Sequence, residues 1–424
     1  MTHKNITRFK LILIVALLFR LVFAFIVWHP DVNNHVDWGT RFWVYGFKGF
    51  YNPDSNVWSY TWPNQPPGTI YIFALLKKVS ESIFNFFWFI NIKVALFPSD
   101  IIFYLEDHLY PALLQLPSIL ADFGIAYLIY KNIKSRRLAK TGAILWLLNP
   151  VIWYNSSVWG QTDSVITFFV FLSFYLLIKN KPILSVLSYA ISIYIKASLI
   201  IFIPLYLYYL FKKRYPLSKY AASFVVASFL IILLTIPFTD KNPVIWLFYL
   251  YQGKVFVQQL QVITANAFNI WATIASIHER PQTLMLGPLS YQVWGSLAFI
   301  IAYIAVVYTV VKNKMKNIFW PLSIVALASF MLLTNMHERY LYPFFPFFTI
   351  LAVKEAKYMK VYIILSLINL LNLYNFWWVP KVDLIISFLS FGNRLMPRIL
   401  GLIGFGIFIY LFKQFLRQVK PSRI

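Results

Sequence analysis

WHPDVNNHVDWGTRFWVYGFKGFYNPDSNVWSYTWPNQPPG, residues 28–68, follows the first long apolar run and is too polar and too broken by Pro and Gly to cross a bilayer. It carries the carboxylates Asp31, Asp37 and Asp54, the imidazoles His29 and His35, and a series of tryptophans. Loops that merely connect two spans are usually short and solvated. This one is long, aromatic and acidic, which marks it as a candidate site at a membrane surface. Asp37, just beyond the end of the first span, is the candidate general base. Trp38, Trp43 and the membrane surface can desolvate it in part and raise its basicity. The structural alternative is a solvated loop acid, or one paired with Arg41.

Composition decides the fold class. The chain has 424 residues, of which 60% are hydrophobic and 12% charged, against roughly a quarter charged in an average soluble domain. Lipid, not a polar exterior, must cover that much apolar surface. The formal net charge of +24 does not indicate nucleic acid, because the basic residues lie in short clusters between apolar runs. That placement indicates topology and anionic lipid. No cysteine is present, which excludes disulfides, thiolate metal sites and a cysteine nucleophile. The N-terminal apolar run lacks a small-residue cleavage site and reads as a retained first span.

The sequence predicts an all-α polytopic membrane protein of one domain over residues 1–424, with about twelve spans. They lie near 11–28, 109–130, 141–154, 164–178, 183–195, 197–211, 220–238, 291–311, 318–334, 340–353, 361–376 and 397–412. Several are shorter than the ~20 residues a perpendicular helix needs. Lys and Arg cluster in alternate connections, at 4–10, 131–140, 179–181, 212–219, 312–316, 354–360 and 413–423, where the sole acid is Glu355. The positive-inside rule therefore predicts cytoplasmic termini and an outer face bearing the long loops 29–108 and 239–290. Interfacial helices are expected in the first loop, whose second half is amphipathic.

Further ionisable residues stand in or beside apolar sequence. Lys196, in SYAISIYIKASLIIFIPLYL, has no acid nearby in the chain. A cation inside a span is costly and generally faces a partner or a cavity, so binding an anionic head group suits it; snorkelling is the structural alternative. Asp163, in the polar turn SSVWGQTDS, is a supporting candidate or a helix N-cap. His337, Glu338 and Arg339 form a charged cluster between two spans, where Arg offers a fork for phosphate oxygens. An earlier His278-Glu279-Arg280 copy weakens the tripeptide as a signal. Arg20 and Asp122 read as structural intramembrane polar residues. No histidine spacing argues for a metal.

Five stretches, HVDWGTRFW with WPNQPPGTIY, LPSILADFGIAYLIY, NPVIWYNSSVWGQTDS with IKASLIIFIPLYL, ANAFNIW, and HERYLYPFFP, resemble in order those of the GT-C class of polyprenyl-phosphate-sugar-dependent membrane glycosyltransferases, dolichyl-phosphate-glucose and -mannose enzymes in particular. The resemblance implies transfer of a monosaccharide from a polyprenyl-phosphate donor to an acceptor hydroxyl of a lipid-linked glycan, glycolipid or surface polymer. It implies Asp37 as base and matches Lys196 and His337-Glu338-Arg339 to family motifs; Lys196, His337 and Arg339 are the donor-phosphate candidates, with Glu338, Asp163 and Arg41 as supporting candidates. Some relatives have glutamine at the place of Asp163. The expected partners are the donor, the acceptor and membrane lipid, with no cofactor and no metal. The expected location is the plasma membrane if the source is prokaryotic, with the site on the outer face. A transporter or lipid-linked-glycan flippase is the alternative; it more often shows a two-fold repeat of broken helices, which this sequence lacks.

Overall fold

A computed structural model describes residues 3–52, 62–253, 260–275, 277 and 280–417. The described residues form helices α1 (His3–Ile26), α2 (Asp31–Phe50), α3 (Pro67–Lys93), α4 (Asp100–Asn132), α5 (Arg136–Leu148), α6 (Pro150–Ser157), α7 (Asp163–Ile178), α8 (Pro182–Ile195), α9 (Ile203–Lys212), α10 (Leu217–Thr235), α11 (Pro243–Leu250) and α12 (Ile270–Ala275). A two-stranded hairpin, β1 (Met285–Leu286) with β2 (Leu289–Ser290), precedes α13 (Tyr291–Lys312), α14 (Phe319–Leu332), α15 (Phe344–Ala352), α16 (Ala356–Tyr374) and α17 (Asp383–Leu416).

The protein is an all-α membrane protein. Six described helices are long and apolar enough to cross a bilayer: Arg8–Ile26 of α1, then α4, Leu217–Phe238 with α10 at its start, α13, α16 and α17. α1 shows why. Ala16, Arg20 and Ala24, four residues apart, turn inward, while Leu11, Ile14, Val15, Leu18 and Val22 stay exposed as a lipid-facing surface.

The other apolar runs fold into shorter helices. The run at 141–154 breaks at Asn149, which adopts the extended conformation that a following proline imposes. The run at 340–353 yields α15, nine residues long and buried throughout, and all of α14 is buried as well. A helix apolar on every side is as well suited to a protein core as to lipid. The long first loop contains α2 and α3. The stretch 239–290 contains α11, α12 and the hairpin.

The chain packs as two compact units interleaved in sequence. The first comprises residues 1–124, 153–200 and 210–259; the second comprises 125–152, 201–209 and 260–424. In the first unit α2 packs on α3, and α8 packs on both α7 and α10. Val32, Trp38, Phe42, Phe50, Ile70 and Phe73 of the long loop pack with Tyr110 of α4 in an apolar core of this unit. In the second unit α14 is flanked by α13, α15 and α17.

Candidate active site

In the first unit, the start of α2 is fixed to the polar turn between α6 and α7. Asp31 Oδ2 accepts hydrogen bonds from Trp159 Nε1 and Gln161 Nε2, both at 2.9 Å. The His29 ring stacks on Trp159 with centroids 4.1 Å apart, and its Nδ1 accepts from the Asp31 amide at 3.0 Å. The fold thus gives this loop acid partners 128 and 130 residues away. Asp54 and the pair His278-Glu279 lie outside the described residues.

Asp37 lies two turns further along α2 and is buried. Its Oδ1 accepts from Arg41 Nε at 2.6 Å, an i,i+4 pair on one helix face. That hydrogen bond raises the basicity of the half-buried guanidinium further. Arg41 thus orients the Asp37 carboxylate.

Asp163 and Lys196 come together. Lys196 Nζ donates to Asp163 Oδ1 at 2.8 Å, with both side chains buried. Asp163 is the first residue of α7, and Thr162 occupies the N-cap position without a side-chain capping bond. Lys196 stands where α8 ends: it is extended, and a short 3₁₀ turn, Ala197–Phe202, follows. A broken helix at this point frees backbone carbonyls that must be paired. Thr69 Oγ1 at the start of α3 donates to the Ile195 carbonyl at 2.6 Å. The adjoining Gly68 comes so close that a Cβ there would lie 2.5 Å from the Tyr194 carbonyl oxygen. The QPPGT stretch of the long loop therefore closes on the break that carries Lys196. A second buried pair, Arg20–Asp122, is formed at 3.3 Å, with Ser164 Oγ donating to the other Asp122 oxygen at 2.9 Å. Both residues are fully buried.

In the second unit, the His337-Glu338-Arg339 cluster lies in the connection from α14 to α15. Arg339 Nη1 donates to Glu338 Oε1 at 2.8 Å, and the guanidinium also lies 5.7 Å from the Tyr340 ring centroid. The tripeptide is joined to the ANAFNIW stretch: residues 265 and 266 bridge His337, and Ala265 N donates to the Met336 carbonyl at 3.0 Å. Two of the quoted stretches thus meet side by side.

A row of asparagines on and just after α16 holds this junction, and the sequence reading missed it. Asn369 Nδ2 donates to the Glu338 carbonyl at 2.9 Å. Asn372 Oδ1 accepts from Phe268 N at 2.9 Å while its amide donates to the Asn266 carbonyl. Asn375 Nδ2 donates to Asn266 Oδ1 at 2.6 Å, and Asn266 Nδ2 returns a bond to the Asn375 carbonyl at 2.8 Å. One and two turns earlier, Ser366 Oγ and Tyr362 Oη accept hydrogen bonds from Asn149 Nδ2, at 2.9 and 2.8 Å. The spacing 369, 372, 375 was the signal available, since residues three apart share a helix face.

Asp31, Asp37, Arg41, Asp163 and Lys196 thus belong to the first unit, and His337, Glu338 and Arg339 to the second. The first unit offers a buried cation at a helix break, an oriented carboxylate and a polar turn. Such a set can hold an anion and move a proton.

Comparison with known proteins adds a direction. Over 73 residues the chain is 41% identical to GPI mannosyltransferase 1 of Candida albicans, covering 17% of this chain and 18% of that one. The resemblance to membrane sugar transferases is borne out. Over 108 residues it is 38% identical to GPI mannosyltransferase 1 of Dictyostelium discoideum, covering 24% of each. The chain thus spans about a quarter or less of the length of these curated relatives. No family model matches it.

Proposed function

We propose that the protein is a membrane mannosyltransferase that transfers its sugar from a polyprenyl-phosphate donor to an acceptor hydroxyl on a glycolipid at the outer face. The mannose and the lipid-linked acceptor are carried over from the names of the two similar proteins. The single observation that carries the reading is Lys196, a buried cation set at a break between α8 and the following 3₁₀ turn and steadied by Asp163. A lipid monophosphate is already anchored in the bilayer, and a cation at its phosphate stabilises it as a leaving group.

Asp37, held by Arg41, takes the proton of the acceptor hydroxyl as that oxygen attacks the anomeric carbon. The C–O bond to phosphate breaks as the new glycosidic bond forms, and the phosphate leaves with the electron pair. In-line attack inverts the anomeric centre. Within the second unit, Glu338 fixes the Arg339 guanidinium. The alternating basic loops support cytoplasmic termini.

The test is to offer purified protein a panel of polyprenyl-phosphate mannose, glucose and galactose donors with glycolipid acceptors. Mannose transfer is expected. Movement of a lipid-linked glycan across vesicles, without transfer to any acceptor, would overturn the reading in favour of a flippase.

A further inference from the structure

The polar turn between α6 and α7 holds more hydrogen-bonding capacity than the protein uses. Asn155, Gln161 and Thr162, with Gln115 of α4 beside them, are all buried. Among the described residues, Asn155 Oδ1 and Nδ2, Gln161 Oε1, Thr162 Oγ1 and Gln115 Oε1 have no hydrogen-bond partner. Leaving a buried polar group unpaired costs its full desolvation penalty, so such groups are rare and are seldom gathered in one place.

The scaffold around them is fixed. Gln161 N donates to the Asn155 carbonyl at 3.3 Å, the Gln161 carbonyl accepts from Ser118 Oγ at 2.5 Å, and Gln161 Nε2 is held by Asp31. Gln115 Nε2 donates to the Ala24 carbonyl at 3.3 Å. Gly160, at φ 65°, lets the turn press against Val32 and Gln115: a Cβ there would lie 2.7 and 3.0 Å from their side chains. Thr162 directly precedes Asp163, the partner of Lys196.

We propose that this cluster is the sugar-recognition pocket of the donor, taking the ring hydroxyls of a hexose whose phosphate lies against Lys196. The inference rests on the function proposed above. The unused groups are mostly acceptors: three amide oxygens and a hydroxyl against one amide nitrogen. A hexose presents several hydroxyls, each a donor as well as an acceptor, and satisfies such a set. A phosphate, which only accepts, does not; nor does a prenyl chain. The Asn155 amide, offering one donor and one acceptor side by side, suits a vicinal pair of hydroxyls.

The experiment compares the hexosyl donor that the purified protein turns over with its singly deoxygenated analogues, using the wild type, Asn155→Ser and Thr162→Val. The wild type is expected to lose about tenfold or more in kcat/KM for at least one deoxy donor. The variants are expected to lose that discrimination while the acceptor KM stays unchanged. Equal use of parent and deoxy donors by the wild type would overturn the pocket and leave the transferase reading standing. Variants that melt at lower temperature yet discriminate as the wild type does would also overturn it, assigning the cluster to buried water. Should Asn155→Ser not fold, Thr162→Val and the wild-type deoxy series still decide. Absence of turnover with every hexosyl donor would refute the underlying function, and the pocket with it.

Discussion

Replacing Lys196 by alanine is expected to damage stability as well as donor use. Its ammonium lies 2.8 Å from Asp163, with side-chain exposures of 10% and 5%. At an effective dielectric constant near 20, the attraction at that distance is about 6 kcal/mol, much of it offset by desolvation of both ions. Removing one partner leaves a buried carboxylate uncompensated, at a cost of about 3–5 kcal/mol. Lys196→Ala should therefore lower the apparent melting temperature in detergent markedly and abolish transfer. Lys196→Ala combined with Asp163→Ala removes both charges, so it should recover most of the lost stability but none of the activity. Parallel melting curves and transfer assays on the two singles and the double give the coupling directly. Losses in stability that simply add, or transfer restored in the double variant, would refute the reasoning.

Asp37→Asn retains size and shape but not the ability to take a proton at neutral pH, so turnover should fall about 10²–10⁴-fold with folding intact; a rate assay beside a melting curve checks this. Asp31→Ala removes the acceptor for both Trp159 and Gln161 and should cost about 1–3 kcal/mol in stability, read from the melting curve; an unchanged melting temperature would show the clamp on α2 to be dispensable. Asn372→Leu strands the Phe268 amide and the Asn266 carbonyl and should destabilise the protein by a similar amount, with protease sensitivity rising around residues 265–271.

The apolar runs made the helical membrane character legible; the first of them, 11–28, overlaps α1, which begins earlier, at His3, and ends at Ile26. Lys196 was legible as an anomaly because a cation in apolar sequence demands an explanation. Its partner was not legible, since Asp163 lies 33 positions away on another helix. The same holds for Asp31, whose role is set by Trp159 and Gln161. The count of about twelve spans is not confirmed. Hydropathy does not distinguish a lipid-facing helix from one such as α14, which is buried on every side. The break at Asn149 further divides a run, 141–154, that reads as continuous, whereas the one at Lys196 falls between the expected spans 183–195 and 197–211. The asparagines of α16 were visible in the sequence, but only the fold shows that they hold ANAFNIW against His337-Glu338-Arg339.

The most direct test is to follow the release of polyprenyl phosphate from polyprenyl-phosphate mannose by the purified wild type and Asp37→Asn, with and without a glycolipid acceptor. The account predicts that the wild type releases one polyprenyl phosphate per mannose transferred, only when acceptor is present, and that Asp37→Asn releases almost none. Equal release by the two proteins, or none by the wild type with any acceptor, would contradict it.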